Sequence, residues 1–149
     1  MNGPYRYSLY REWDYTKKKV GWLMLNPSTA DGIREDATTR KCIGFSNLWG
    51  YGGLIITNLW AWRATSPDDL IQNEISVGPM NDAYIREMAD TTDFVVCAWG
   101  HNASGHKRCE EVMELLYGKD TRCLHLNKGG TPGHPLMLSY KRELMDYSL

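Results

Sequence analysis

Four short apolar runs stand out along the chain, and a polar or glycine-rich break follows each of them. The runs are residues 20–25, 54–57, 94–98 and 122–126. Because they are short and show no clean alternation, they are typical of strands that a parallel sheet buries on both faces. The opening residues 5–10 alternate between polar and aromatic side chains, which favours an additional edge strand.

Helical patterns lie between the runs, at residues 36–49, 79–88 and 105–117. The first has Asp36 or Thr38 near its start and Gly50 after its end, as helix termini prefer. The third carries the clearest apolar face, formed by Cys109, Val112, Met113, Leu115 and Leu116. The alternation of strands and helices predicts an α/β domain whose central four-stranded, mainly parallel sheet is covered by helices on both sides. No linker or repeat is visible in the sequence, so residues 1–149 are interpreted as a single domain.

The composition fits a globular domain rather than a dedicated nucleic-acid binder. Of the 149 residues, 42% are hydrophobic and 23% are charged, and the formal net charge is −1. A protein that binds nucleic acid through phosphate neutralisation alone is normally basic. Local basic clusters nevertheless occur at residues 17–19, 40–41, 107–108 and 141–142. The charge therefore permits a DNA or nucleotide partner without requiring one.

Cysteine usage and hydropathy indicate a reducing compartment. The four cysteines contain no C-x-x-C pair, and the sequence shows neither a signal peptide nor an apolar run long enough to span a membrane. We therefore expect a cytoplasmic protein without a disulfide framework and without membrane contact. Six Trp and nine Tyr against two Phe suit either a core or the walls of a site that stacks on a planar group.

The breaks after the strands predict where a site would lie. In an open parallel sheet, ligands bind in the crevice beyond the carboxyl ends of the strands. Four polar or glycine-rich segments follow those ends, at residues 26–28, 58, 99–102 and 129–135. Their convergence on one edge of the sheet is a stronger indication of a site than any one of them.

Three side chains in these segments are candidates for chemistry. Asn26 precedes Pro27, which favours extended backbone, so its amide would project from the strand end as both donor and acceptor. The amide of Asn58 suits a bidentate contact with a base edge, and His134 suits donation to a developing oxyanion. Each has a structural alternative, namely a turn or helix cap around Asn26, a turn at Asn58 and a packing role for His134.

The sequence does not favour a metal or cofactor site. His101, His106 and Cys109 match no familiar zinc spacing, and a helix start with surface histidines explains them better. The glycine-rich residues 50–53 precede a strand rather than open a helix, which argues against a dinucleotide or P-loop fingerprint. We therefore expect neither a metal nor a cofactor.

Six short segments, taken in order, form a specific set of landmarks. They are Tyr5-Arg6-Tyr7-Ser8-Leu9, Leu25-Asn26-Pro27-Ser28-Thr29-Ala30-Asp31, Asp36-Ala37-Thr38-Thr39-Arg40, Asn58-Leu59, Ala98-Trp99-Gly100 and Gly133-His134-Pro135-Leu136. This set resembles family 1643 of the domains of unknown function, over nearly the whole chain. The same landmarks also resemble a reduced uracil-DNA glycosylase superfamily domain, which implies a uracil-DNA glycosylase-like, three-layer αβα fold.

The superfamily resemblance implies roles for the landmark residues. Asn26 resembles the first residue of an Asn-Pro motif that positions the attacking water, and Asn58 matches an asparagine that reads the uracil edge. His134 resembles the histidine that opens the last motif and stabilises the base anion. The Trp-Gly pair at residues 99–100, which ends a strand before a helix, matches a further landmark.

Two departures from the superfamily pattern bear on the chemistry. Leu136 stands where the family's His-Pro-Ser loop, which helps to open the duplex, has its serine. Asn26 has no carboxylate to act as a general base, so a carboxylate would have to come from nearby Asp31 or Asp36.

The leading hypothesis is a nucleobase-handling enzyme that cleaves the N-glycosidic bond of a uracil-like or modified base. The expected catalytic residues are Asn26, Asp31 and His134. The expected substrate contacts are Pro27, Ser28, Arg40, Asn58, Trp99, Gly100 and Pro135, with Trp22, Trp60 or Trp99 as a stacking wall. Two alternatives stay open: a base-modifying transferase of DNA hypermodification, and a non-catalytic module that binds a nucleotide or DNA.

Overall fold

The computed structural model describes residues 4–27, 36–63 and 74–149. The strands in these ranges are β1 (Leu9–Glu12), β2 (Lys19–Met24), β3 (Gly53–Asn58), β4 (Val95–Cys97), β5 (Thr121–Cys123) and β6 (Met145–Asp146). The helices there are α1 (Ala37–Leu48), α2 (Glu74–Val77), α3 (Asn81–Thr91) and α4 (Lys107–Leu115), with a 3-10 turn at His101–Ala103. The chain therefore has the expected mixed α/β architecture.

Within the described ranges, six strands form one sheet in the order β1-β3-β2-β4-β5-β6. The four central strands are parallel to one another and correspond to the four apolar runs. The expected count of four strands is wrong, because β1 and β6 pair antiparallel at the two edges. β1 lies a few residues later than the edge strand expected at residues 5–10, and β6 comprises two exposed residues that carry no hydrophobic pattern.

The sheet separates two hydrophobic clusters, because alternate residues of each strand face opposite sides. On one side, Leu23 of β2 belongs to a cluster with residues of α3 and α4, such as Met88 and Val112. On the other side, Trp22 belongs to a cluster with residues of α1, such as Phe45. Helices thus cover both faces of the sheet in the described part of the chain.

The three long helices correspond to the three helical patterns of the sequence, with ends that differ by a few residues. α1 begins where expected, since the Asp36 side chain accepts a hydrogen bond of 2.7 Å from the backbone N–H of Thr39. α4 begins after His106, whose ring Nδ1 accepts a hydrogen bond of 3.0 Å from the backbone N–H of Arg108. The short helix α2 was not expected from the pattern.

A close contact between β2 and α3 depends on Gly21. A Cβ atom at this position would lie 2.3 Å from Sδ of Met88, well inside van der Waals contact. The glycine therefore lets α3 pack directly on the strand whose end leads into Asn26.

Within the described ranges, no helix has the length and apolarity needed to cross a bilayer. All four cysteines are buried free thiols.

Candidate functional site

The carboxyl ends of the central strands open onto a pocket of about 330 Å³. Met24 of β2 pairs with Asn58 of β3, and Leu23 pairs with Cys97 of β4, so the three strands end level with one another. The polar groups that line the pocket include Arg6, Asn26, Asp36, Asn58, Asn102 and His134. Its apolar lining includes Leu9, Met24, Leu25, Ile56 and Trp99. The geometry is that of a ligand site with convergent polar groups on an apolar wall.

Asn26 lies half-buried where the chain leaves β2. Its side-chain Nδ2 donates a hydrogen bond of 3.1 Å to the backbone carbonyl of Pro27. This local bond restrains the orientation of the amide at the pocket wall.

Asn58 is the last residue of β3 and is only 4% exposed. Its backbone carbonyl accepts a hydrogen bond of 2.8 Å from Nδ2 of Asn81. The next carbonyl, that of Leu59, accepts bonds from Asn81 (3.2 Å) and from Nε of Arg108 (2.8 Å). The side-chain amide of Asn58 has no hydrogen bond to any residue in the described ranges, so it faces the pocket with its donor and acceptor available to a ligand.

His134 lies at the mouth of the pocket in the loop that follows β5. Its Nδ1 accepts a hydrogen bond of 3.2 Å from the backbone N–H of Leu136. That bond requires the neutral tautomer in which Nε2 carries the proton and serves as a donor. Although the side chain keeps contact with solvent, desolvation by the surrounding protein lowers the pKa of His134 below its ordinary 6.5, while the charge of Asp36 acts in the opposite direction. The ring is therefore a neutral donor near pH 7.

Gly100 connects the β4 end to the His134 loop. Its N–H donates a hydrogen bond of 2.9 Å to the carbonyl of Pro132, and its φ of +81° is a conformation that favours glycine. A Cβ atom at this position would lie 3.6 Å from Cβ of His134. The glycine thus holds two of the predicted site segments side by side.

Of the three tryptophans considered as stacking walls, Trp99 alone lines the pocket. It is 1% exposed and packs edge-on against Tyr147, with ring centroids 5.7 Å apart. Trp22 instead stacks on Trp49 in the core and donates to Oγ of Ser46 at 3.0 Å. Trp60 is buried against His106 with a centroid separation of 4.9 Å. The apolar part of the pocket wall is therefore mostly aliphatic, with one indole.

The comparison with protein families gives a single match. A family model described as a protein of unknown function, DUF1643, matches residues 6–136. The chain belongs to this family. The matched segment contains every described residue that lines the pocket, from Arg6 to His134. Neither the curated proteins nor the solved structures provide a significant match.

In this DUF1643 chain, the pocket brings together six of the ten residues predicted from the sequence. They are Asn26, Pro27, Asn58, Trp99, Gly100 and His134. Pro135, the residue after His134, is buried, and Arg40 is exposed on α1; neither lines the pocket. Ser28 and Asp31 lie outside the described residues.

The DUF1643 pocket also includes residues that the sequence analysis did not place in the substrate site. Arg6 precedes β1 and reaches the pocket from the sheet edge, a position that no local pattern indicates. His101 and Asn102 of the 3-10 turn belong to the strand-end segment 99–102 that the sequence predicts at this edge of the sheet, although neither was assigned a substrate contact. Asp36 was expected as a helix start and considered as a carboxylate source, and it lines the pocket as well. In the described ranges, no cluster of three or more His, Cys, Asp or Glu side chains is arranged to hold a metal ion.

A larger, shallower groove of about 660 Å³ lies between α3 and α4. Its charged side chains are largely paired with one another: Arg108 contacts Asp82 at 2.8 Å and Glu111 at 3.8 Å. Arg108 also donates to the Leu59 carbonyl, so the buried guanidinium of this groove is already paired within the protein. The smaller pocket, with its convergent polar groups, is therefore the better candidate for a ligand site.

Proposed function

We propose that this protein cleaves the N-glycosidic bond of a uracil-like or modified base in DNA or a nucleotide. The observation that carries the proposal is the single pocket lined by Asn26, Asn58 and His134 at the carboxyl ends of the parallel strands. The order of these residues along the chain resembles that of the uracil-DNA glycosylase superfamily, and this resemblance supports the same proposed reaction.

Each of the three side chains has a chemical task in this reaction. The Asn58 amide offers one donor and one acceptor group, which matches the alternating carbonyl and N–H groups on a uracil edge. Asn26 holds a water molecule near the sugar carbon. The Nε2–H of His134 donates to the oxygen on which negative charge develops as the base departs. A neutral donor suits this role because it need not gain a proton first.

The apolar lining of the pocket supports the binding of a nucleobase, because a planar base is transferred from water to an apolar surface when it binds there. Leu9, Met24 and Ile56 offer aliphatic contacts to the faces of a planar ring, and Trp99 contributes an aromatic edge. Exclusion of water from such a wall strengthens the hydrogen bonds that the amides and the imidazole make with the base.

An exposed apolar pair next to the pocket supports DNA as the source of the base. Leu136 is 38% and Met137 is 90% exposed, and both come within three residues after His134 in the loop. Apolar side chains at such a position separate stacked bases in proteins that distort duplex DNA. They take the place of the serine-containing loop found in the superfamily pattern.

The test is release of free base from oligonucleotides that carry uracil or other modified bases, in single-stranded and duplex form. Free base is measured by chromatography with mass detection, which also registers any mass added to the substrate. We expect release by the wild-type protein and at least a hundredfold slower release by the H134A and N26A variants. No release by folded wild-type protein from any substrate would overturn the proposal. Added mass would favour a base-modifying transferase, and binding without conversion would favour a binding module.

A further inference from the structure

The proposed hydrolysis needs a group that takes a proton from water, and an amide cannot do this. Asn26 and Asn58 can orient water or the base, but neither amide binds a proton near neutral pH. Among the described residues that line the pocket, Asp36 is the one acidic side chain. It lies half-buried immediately before α1, with Thr38 and Thr39 beside it in the pocket wall.

Asp36 has a structural task at the start of α1. Its Oδ1 accepts the 2.7 Å hydrogen bond from the backbone N–H of Thr39 and so caps α1. The positive end of the α1 dipole and the capping N–H both favour the ionised form, which is the form that accepts a proton.

Asp36 is also electrostatically close to the other titratable group of the proposed mechanism. Its negative charge raises the pKa of His134 against the larger effect of desolvation. Arg6 from the segment before β1 and His101 from the 3-10 turn are the other charged or titratable groups that line the pocket within the described ranges. A carboxylate and a histidine on the wall of one pocket are thus arranged to divide acid and base work between them.

We propose that Asp36 is the general base of the glycosidic cleavage, an inference that rests on the proposed function. The water held by Asn26 gives one proton to the Asp36 carboxylate while its oxygen forms a bond with the sugar C1′. The bond between C1′ and the base nitrogen breaks, and its electron pair leaves with the base. His134 Nε2–H stabilises the resulting anion, which then takes a proton from solvent as Asp36 returns its own.

The D36N variant separates the capping role from the catalytic one. Asparagine caps helices about as well as aspartate, but it cannot accept a proton from water. We expect D36N to keep the thermal midpoint and the KM of the wild type and to lose about a hundredfold or more in kcat. The D36A variant should lose the same activity and, in addition, stability, because it also loses the cap. The D120N variant, which changes a carboxylate at the opposite end of the sheet, should retain wild-type kcat.

A second measurement tests the position of the carboxylate independently of turnover. The ring protons of His134 are followed by NMR as a function of pH in the wild type and in D36N. We expect a lower His134 pKa in D36N, because the charge that favours the imidazolium is gone. An unchanged His134 pKa would show that the carboxylate does not face the pocket and would overturn the inference.

The outcomes of the two experiments distinguish the proposals. If the wild type releases base and D36N releases it within a fewfold of the same rate, the role of Asp36 is overturned while the proposed function stands. If the wild type releases no base from any substrate, the proposed function is overturned, and the catalytic role of Asp36 with it.

Discussion

The buried side chain of Asn81 donates a 2.8 Å hydrogen bond to the backbone carbonyl of Asn58, the residue that ends β3 in the pocket wall. Asn81 is the first residue of α3, so a helix on one face of the sheet fixes a strand end on which the proposed base recognition depends. The same amide also reaches the carbonyl of Leu59. Its Oδ1 is buried without a hydrogen-bond partner in the described residues.

The N81A variant should therefore weaken both the fold and the site. Loss of the amide leaves the Asn58 carbonyl buried without its partner, which costs about 1–3 kcal/mol of unfolding free energy. We also expect a higher KM for base release, since the Asn58 amide is no longer held in place. Urea denaturation and steady-state kinetics measure the two effects. The N47A variant on the exposed side of α1 is the matched control, and equal effects in both variants would contradict the assigned role of Asn81.

The G100A variant is expected to damage the site beyond its effect on stability. Gly100 has φ +81° and ψ −170°, a backbone conformation nearly restricted to glycine, and a side chain there costs about 1–3 kcal/mol. Because Gly100 bonds to Pro132 beside the His134 loop, relief of this strain should displace His134 and slow base release. The G105A variant is the control, since Gly105 has a φ of +75° and open space around it. Comparable destabilisation with undiminished activity in both variants would argue against this coupling.

The pH dependence of stability should carry a contribution from His134. Its pKa is lower in the folded protein than the ordinary 6.5, so the unfolded chain binds the proton more readily. This contribution is absent at pH values well above 6.5, and it destabilises the fold as the pH falls through and below that value. Between pH 7.5 and pH 5.5, the thermal unfolding midpoint should fall less in H134Q than in the wild type. A larger fall of the midpoint in H134Q would contradict the stated direction of the His134 pKa shift.

The exposed loop residue Met137 should matter for duplex substrates alone. Removal of the apolar side chain in M137A should slow release from duplex DNA several-fold and leave release from single-stranded DNA unchanged, because a single strand needs no unstacking. The M80A variant removes an equally flexible methionine that is 54% exposed at the start of α3. Equal rates for M137A and wild type on duplex DNA would exclude Met137 as a wedge.

The central sheet could be predicted because burial on both faces leaves a continuous apolar run in the sequence. The start of α1 could be predicted because a cap is a local interaction between Asp36 and Thr39. The two-residue β6 could not, since its pairing with β5 is decided by tertiary contact rather than by its own residues. The site was predicted where residues follow the strand ends, as at Asn26 and Asn58.

The remaining parts of the site depend on distance in space rather than in sequence. Arg6 enters the pocket because β1 pairs with β3, and nothing in its own segment indicates that neighbour. Trp22 and Trp60 show the opposite case. Their indole rings suit a stacking wall, but the strand alternation and the loop path bury them in the core. Residue type alone could not distinguish a core indole from one at a pocket.

The burial of all four cysteines makes the protein suitable for specific chemical labelling. Burial raises the pKa of every thiol, to about 11 for Cys109, and the reactive thiolate is correspondingly scarce near neutral pH. A cysteine introduced at the exposed position of Met137 would react with a maleimide dye far faster than the native thiols. A fluorophore attached there would report whether DNA or a nucleotide binds at the His134 loop, without any change to the native cysteines.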